Sequence, residues 1–239
     1  MMIRLFLLML LISVTLSLTG QNQNYRQIFG KKYKHAEDFI NQNRNIFQKY
    51  FPDSAEFQQS ISIVFPEIIR FNELYDKIEV EALKTLYVQY GNQYANFSIG
   101  PFQMKPTFAE QLERDYCLLQ QKPDLKISVA FDTTSTKEAR LKRVERLSTM
   151  EWQMIYLSLF YKISNLRFNE LKFNFPTEKL RFLAAAYNSG FHNPIEKIVT
   201  KENEKHFHTE VMYRSKSRKY CYSDISAFYF KELHSNFLR

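Results

Sequence analysis

The chain has 239 residues, a formal net charge of +8, 45% hydrophobic residues and only 5 glycines. That length suits one domain with a substantial core. The scarcity of glycine argues against a turn-rich β-sandwich. Aromatic residues are abundant, 22 Phe and 15 Tyr, and fit helices packed through large side chains.

The N-terminus has the features of a targeting segment. Arg4 is followed by an apolar run over residues 5–12, then by Ser13, Thr15 and Ser17, and then by small residues at Thr19 and Gly20. The pattern predicts a signal peptide over residues 1–20, and a single domain over 21–239. The alternative, a membrane anchor, is disfavoured because the run is short for a span. Export implies the periplasm or cell envelope and no integral membrane span after cleavage. In that compartment the basic charge suits an anionic polymer or membrane surface better than nucleic acid. An oxidising compartment permits a disulfide between Cys117 and Cys221, but the sequence does not establish that they meet.

Apolar residues at helical spacing predict a helix over 33–50 and a second from Asp53 through Phe57, Ile61, Val64 and Phe65. Pro66 either kinks the second helix or starts a new one at its first turn. A third stripe, Leu83, Leu86, Tyr87 and Tyr90, stops at Gly91. Residues 92–106 have no helical period and form a structured loop, after which Thr107 caps a helix through Phe108, Leu112 and Tyr116. Residues 121–136 are read as an irregular insertion or short strand. One long helix is predicted over 137–163, its basic first half (139–144) a solvated face. Pro176 starts a helix ending at Gly190, and a last helix covers about 223–234. The fold class is therefore all-α with a short irregular loop or β insertion.

Three segments carry candidate chemistry. In Ile63-Val64-Phe65-Pro66-Glu67-Ile68-Ile69-Arg70-Phe71-Asn72 one carboxylate sits among apolar neighbours. Burial raises the pKa of such a group, which suits a glycosidase acid. A Glu following Pro is also an ordinary first-turn helix residue. The second segment is Gly100-Pro101-Phe102-Gln103-Met104-Lys105-Pro106 and the third Ala185-Ala186-Tyr187-Asn188-Ser189-Gly190.

In this order the three resemble the lysozyme-like soluble lytic transglycosylases, over roughly residues 55–192. Those enzymes place a catalytic Glu at a helix end, then a Gly-Leu-Met-Gln-x-x-Pro-like loop, then an Ala-Ala-Tyr-Asn-Ala-Gly helix end. The resemblance implies a lysozyme-like helical domain that cuts the β-1,4 bond of peptidoglycan glycan strands with neither metal nor organic cofactor. It implies Glu67 as the acid and then the base, with Tyr187 beside it as an orienting group. Gln103 and Asn188 would hydrogen-bond sugar or loop backbone. Gly100 would admit close approach of the glycan, and Phe102 would line the groove.

The chain departs from the pattern in three ways. Ile68 replaces the Ser that usually follows the Glu, Phe102 replaces a Met, and the gap from Glu67 to Gly100 is longer by about a helix. The gap brings in Glu79 and Glu81 as second candidates, although their stretch, 77–82, reads as a face presented to solvent. Two alternatives stay open: a hydrolytic muramidase, with Asp76 the nearest second carboxylate, and a non-catalytic glycan-binding or scaffold protein. The His206-Phe207-His208 stretch reads as a solvated loop or edge strand rather than a metal site. The basic run 214–219 reads as a solvated loop, and Trp152 as core.

Overall fold

A computed structural model describes residues 23–71, 73–116, 129–210 and 217–237, without the side chains of 73–80, 82, 236 and 237. The expected signal-peptide segment, Cys117 and residues 214–216 of the basic run 214–219 lie outside the described residues.

The protein is all-α. In chain order the helices are α1 (Tyr25–Phe29), α2 (Lys31–Gln42), α3 (Arg44–Tyr50), α4 (Ser54–Arg70), α5 (Glu73–Tyr90), α6 (Pro106–Asp115), α7 (Thr136–Leu147), α8 (Met150–Arg167), α9 (Pro176–Ser189), α10 (Ile195–Glu202) and α11 (Tyr222–Phe237). Strands β1 (Lys205–Phe207) and β2 (Tyr220–Cys221) pair antiparallel between α10 and α11. Of the insertion expected at 121–136, irregular or a short strand, residues 121–128 lie outside the described residues and 129–135 are irregular, and the β1–β2 pairing lies near the C-terminus. Among the described residues no helix is long and apolar enough to cross a membrane.

Two helices form the interior. Helix α4 is buried almost all round from Ser60 to Ile69, and α8 from Gln153 to Tyr161. A helix that is apolar on every face belongs in a core. Amphipathic neighbours cover them: α2, α9 and α11 lie against α4, and α3, α6, α7 and α9 against α8. Aromatic contacts fasten α4, with the Phe65 ring stacked on Tyr229 of α11 and edge-on to Tyr33 of α2.

Capping chemistry explains where the predicted long helices divide. The 33–50 helix breaks at Asn43, whose side chain donates to the Phe39 carbonyl. The 137–163 helix breaks at Ser148–Thr149. The Ser148 hydroxyl bonds back to Val144, and the Thr149 hydroxyl accepts from the Trp152 amide as a new N-cap. Conversely, α4 runs through Pro66 without dividing. Proline removes the donor for the Ser62 carbonyl. The Tyr222 hydroxyl, from α11, donates to the adjacent Ile63 carbonyl at 2.9 Å. Glu67 thus sits in the last turn of α4, not in the first turn of a new helix. Thr107 is not a cap either. Pro106 opens α6, and the Thr107 hydroxyl donates to Asn96.

The basic stretch of α7 is largely engaged with protein. Arg143 and Val144 are buried, Arg140 donates to the carbonyls of Val88 and Gln89, and Arg146 lies over the Phe131 and Trp152 rings. Trp152 is partly buried against the core.

Candidate functional site

A cleft of about 320 Å³ opens between the end of α4, the loop before α6 and the end of α9. Glu67, Gln103, Tyr187 and Asn188 all line it, together with Arg70, Asn96, Ser98, Gln111, Phe108 and Phe191. Folding therefore brings together four of the six residues singled out in the sequence.

Glu67 is only 4% exposed. The Arg70 guanidinium, one turn on, lies 3.0 Å from its Oε2, and Asn188 Nδ2 donates to its Oε1 at 3.4 Å. Arg70 also donates to Gln103 Oε1 at 3.3 Å and rests over the Phe207 ring.

Residues 99–104 form a tight hairpin closed by two backbone bonds between Ile99 and Met104. Gln103 adopts φ 50°, the one positive φ outside glycine among the described residues. It is held by its Nε2 bond to the Gly100 carbonyl and by Arg70. An outlier of this kind persists only where its surroundings determine it.

Gly100 and Phe102 do not have the expected roles. The Phe102 side chain is fully buried, packed towards Phe47, and does not line the cleft. In a hairpin this tight, its ring turns into the core while its backbone remains near the site. The Phe102 carbonyl accepts from the Tyr187 hydroxyl at 2.7 Å, and its amide donates to Gln153 Oε1 at 2.9 Å. At Gly100, φ is 67° and an added Cβ would fall 1.8 Å from Gln153 Nε2. This glycine makes room for Gln153, not for a glycan. Buried Gln153 also donates to the carbonyls of Ile99 and Leu147, and so pins the hairpin to α8.

Tyr187 spends its proton on the Phe102 carbonyl, so it orients the hairpin, and Asn188 is the group on α9 that donates to the acid. Burial, and then the charge of Glu67, hold the phenol of Tyr187 well above its ordinary pKa, and the same two causes act on Tyr222. Both stay protonated at neutral pH and cannot serve as bases.

Two contributors were not assigned to this site from the sequence: Arg70, and His206, whose stretch reads as a solvated loop or edge strand and forms β1. Arg70 stands three residues after Glu67, the spacing at which helical side chains meet. His206, on β1, brings Nε2 within 2.5 Å of Asn188 Oδ1 and Nδ1 within 3.1 Å of the Glu204 carbonyl. No sequence signal ties it to Asn188. Glu81 is exposed and ion-paired with Lys84, apart from the cleft lining. The side chains of Asp76 and Glu79 lie outside the described residues. No group of three or more His, Cys, Asp or Glu side chains among the described residues is arranged to hold a metal. Cys221 is a buried free thiol that donates to the Glu202 carbonyl.

Comparison with family models, curated proteins and solved structures gives no match. The site is therefore read from its own geometry.

Proposed function

We propose that this protein is an exported, lysozyme-like peptidoglycan glycosidase that cuts the β-1,4 bond between N-acetylmuramic acid and N-acetylglucosamine. The observation that carries the reading is a single buried carboxyl, Glu67, opening onto a polar cleft between two distant segments. A volume of about 320 Å³ falls at the low end of the range of small-ligand sites.

In this reading protonated Glu67 gives its proton to the glycosidic oxygen as the bond to the leaving sugar breaks. The resulting carboxylate, stabilised by Arg70 and Asn188, then takes a proton from the 6-hydroxyl of the remaining sugar. That hydroxyl closes onto the anomeric carbon and leaves a 1,6-anhydro end. Filling the cleft with glycan expels water and favours the neutral acid needed for the first step. Gln103, Asn96 and Gln111 offer hydrogen bonds to sugar hydroxyl and acetamido groups.

A second reading, a non-catalytic glycan-binding protein, is favoured by the Arg70 ion pair, which stabilises the charged form of Glu67. Mass spectrometry of isolated wall incubated with the protein separates the readings. Anhydro-ended fragments are expected; reducing ends instead mean hydrolysis by water. Wall that is bound but not cut means the non-catalytic reading is correct.

A further inference from the structure

Asn188 stands between two groups that can each either give or accept a hydrogen. Its Nδ2 faces Glu67 Oε1 at 3.4 Å and its Oδ1 faces His206 Nε2 at 2.5 Å. The other imidazole nitrogen faces a second acceptor, the Glu204 carbonyl, at 3.1 Å. A neutral imidazole carries one N–H, so it can serve only one of these two acceptors at a time. We propose that His206 is a positioning residue, acting through Asn188, whose tautomer is coupled to the protonation state of Glu67.

Two arrangements satisfy both Asn188 and Glu67, and only the second also serves the Glu204 carbonyl. In the first, His206 carries its proton on Nε2 and donates to Asn188 Oδ1, and Asn188 donates to the Glu67 carboxylate. In the second, His206 carries its proton on Nδ1 and donates to the Glu204 carbonyl. Its bare Nε2 then accepts from Asn188 Nδ2. A half-turn of the amide brings Asn188 Oδ1 to Glu67, which must now be protonated to donate to it. The second arrangement holds one proton more than the first, and that proton is on Glu67. The imidazole exchanges its own proton between nitrogens through solvent, since His206 is only half-buried.

The groups facing this relay are Glu204, Lys201 and Lys219 around His206, and Arg70, Tyr187 and Tyr222 around Glu67. Burial leads in holding His206 below its ordinary pKa of 6.5. That favours the neutral ring, the form for which the two tautomers are alternatives.

For catalysis the inference rests on the glycosidase reading. There the amide turns as Glu67 gives up its proton and turns back as it recovers one. The relay itself can be measured without activity. Ring ¹⁵N shifts of His206, followed against pH in the wild-type protein, should show a tautomer change at the titration of Glu67. That change should disappear in Glu67→Gln and in Asn188→Leu. A tautomer that does not respond to Glu67, or a response that survives Asn188→Leu, overturns the relay. In the activity arm, His206→Ala should lower kcat about tenfold, the worth of one hydrogen bond near a charge, with KM within about twofold. His206→Gln retains a reversible amide and should restore most of kcat while removing one inflection from the pH profile. Coupled ¹⁵N shifts in a protein that does not cut wall would sustain the relay and dismiss the glycosidase. Wall cleavage with uncoupled shifts would do the reverse.

Discussion

Among the described residues, two arginine–carboxylate groups have a buried member, Arg143 in one and Glu67 in the other, and they are built differently. Around Arg143, Glu113 accepts three times, at 2.6, 2.9 and 3.2 Å, and Tyr156 also donates to it. Glu110 and the Tyr87 oxygen take the other face, and Tyr87 donates back to Glu110. The set joins α5, α6, α7 and α8 with short, mutually oriented bonds. Around Glu67, Arg70 lies at 3.0 Å and Asn188 at 3.4 Å, and the carboxyl faces a cleft. A closed network holds helices together. One at a cavity wall turns its carboxyl towards a space that a ligand can enter.

Substitutions at the two sites should therefore fail in opposite ways. Arg143→Met removes the cation from two partly buried carboxylates and should cost about 3 kcal/mol in urea unfolding, with activity per folded molecule unchanged. Comparable loss from Glu67→Gln would erase the distinction. That variant should instead stay folded by circular dichroism and release muropeptides at least about a hundredfold more slowly, a loss of about 3 kcal/mol at the transition state. Equal release by mutant and wild type would remove Glu67 from the chemistry. Gly100→Ala tests the tie between the regions, since Gln153 fastens the cleft hairpin to α8. A positive φ and a clash with a fully buried amide should cost about 2 kcal/mol, read as a lowered Tm.

The smallest effect concerns pH. The folded protein holds His206 below 6.5, so as pH falls beneath that value the unfolded chain binds the proton first. Stability should decline from pH 7 to 5 in the wild type, and less steeply in His206→Gln. Matching slopes would place the titration elsewhere.

Much of this arrangement was legible in the chain. Apolar spacing marked α4, α5 and α9, Gly91 and Gly190 marked two helix ends, and the motif residues at 67, 103, 187 and 188 meet in one cleft. Each depends on local pattern or on a resemblance among short segments. What was missed depends on tertiary burial. Phe102 is an aromatic in a loop, and only the core behind the hairpin determines that its ring turns inward. Gln153 and Arg143 are polar residues in helices, ordinarily solvated, whose burial follows from the neighbours around them. His206 reaches Asn188 only because α10 and the β1–β2 pair fold back over α9.

The Tyr222 bond to the Ile63 carbonyl makes the assembly of this cleft depend on the latter part of the chain. The helix end bearing the acid is braced by a residue 159 positions beyond the carbonyl it holds. A nascent chain still lacking that residue can wind α4, but cannot yet brace its proline-containing turn. Completion of the acid's support therefore belongs to the closing steps of folding, after synthesis has passed position 222.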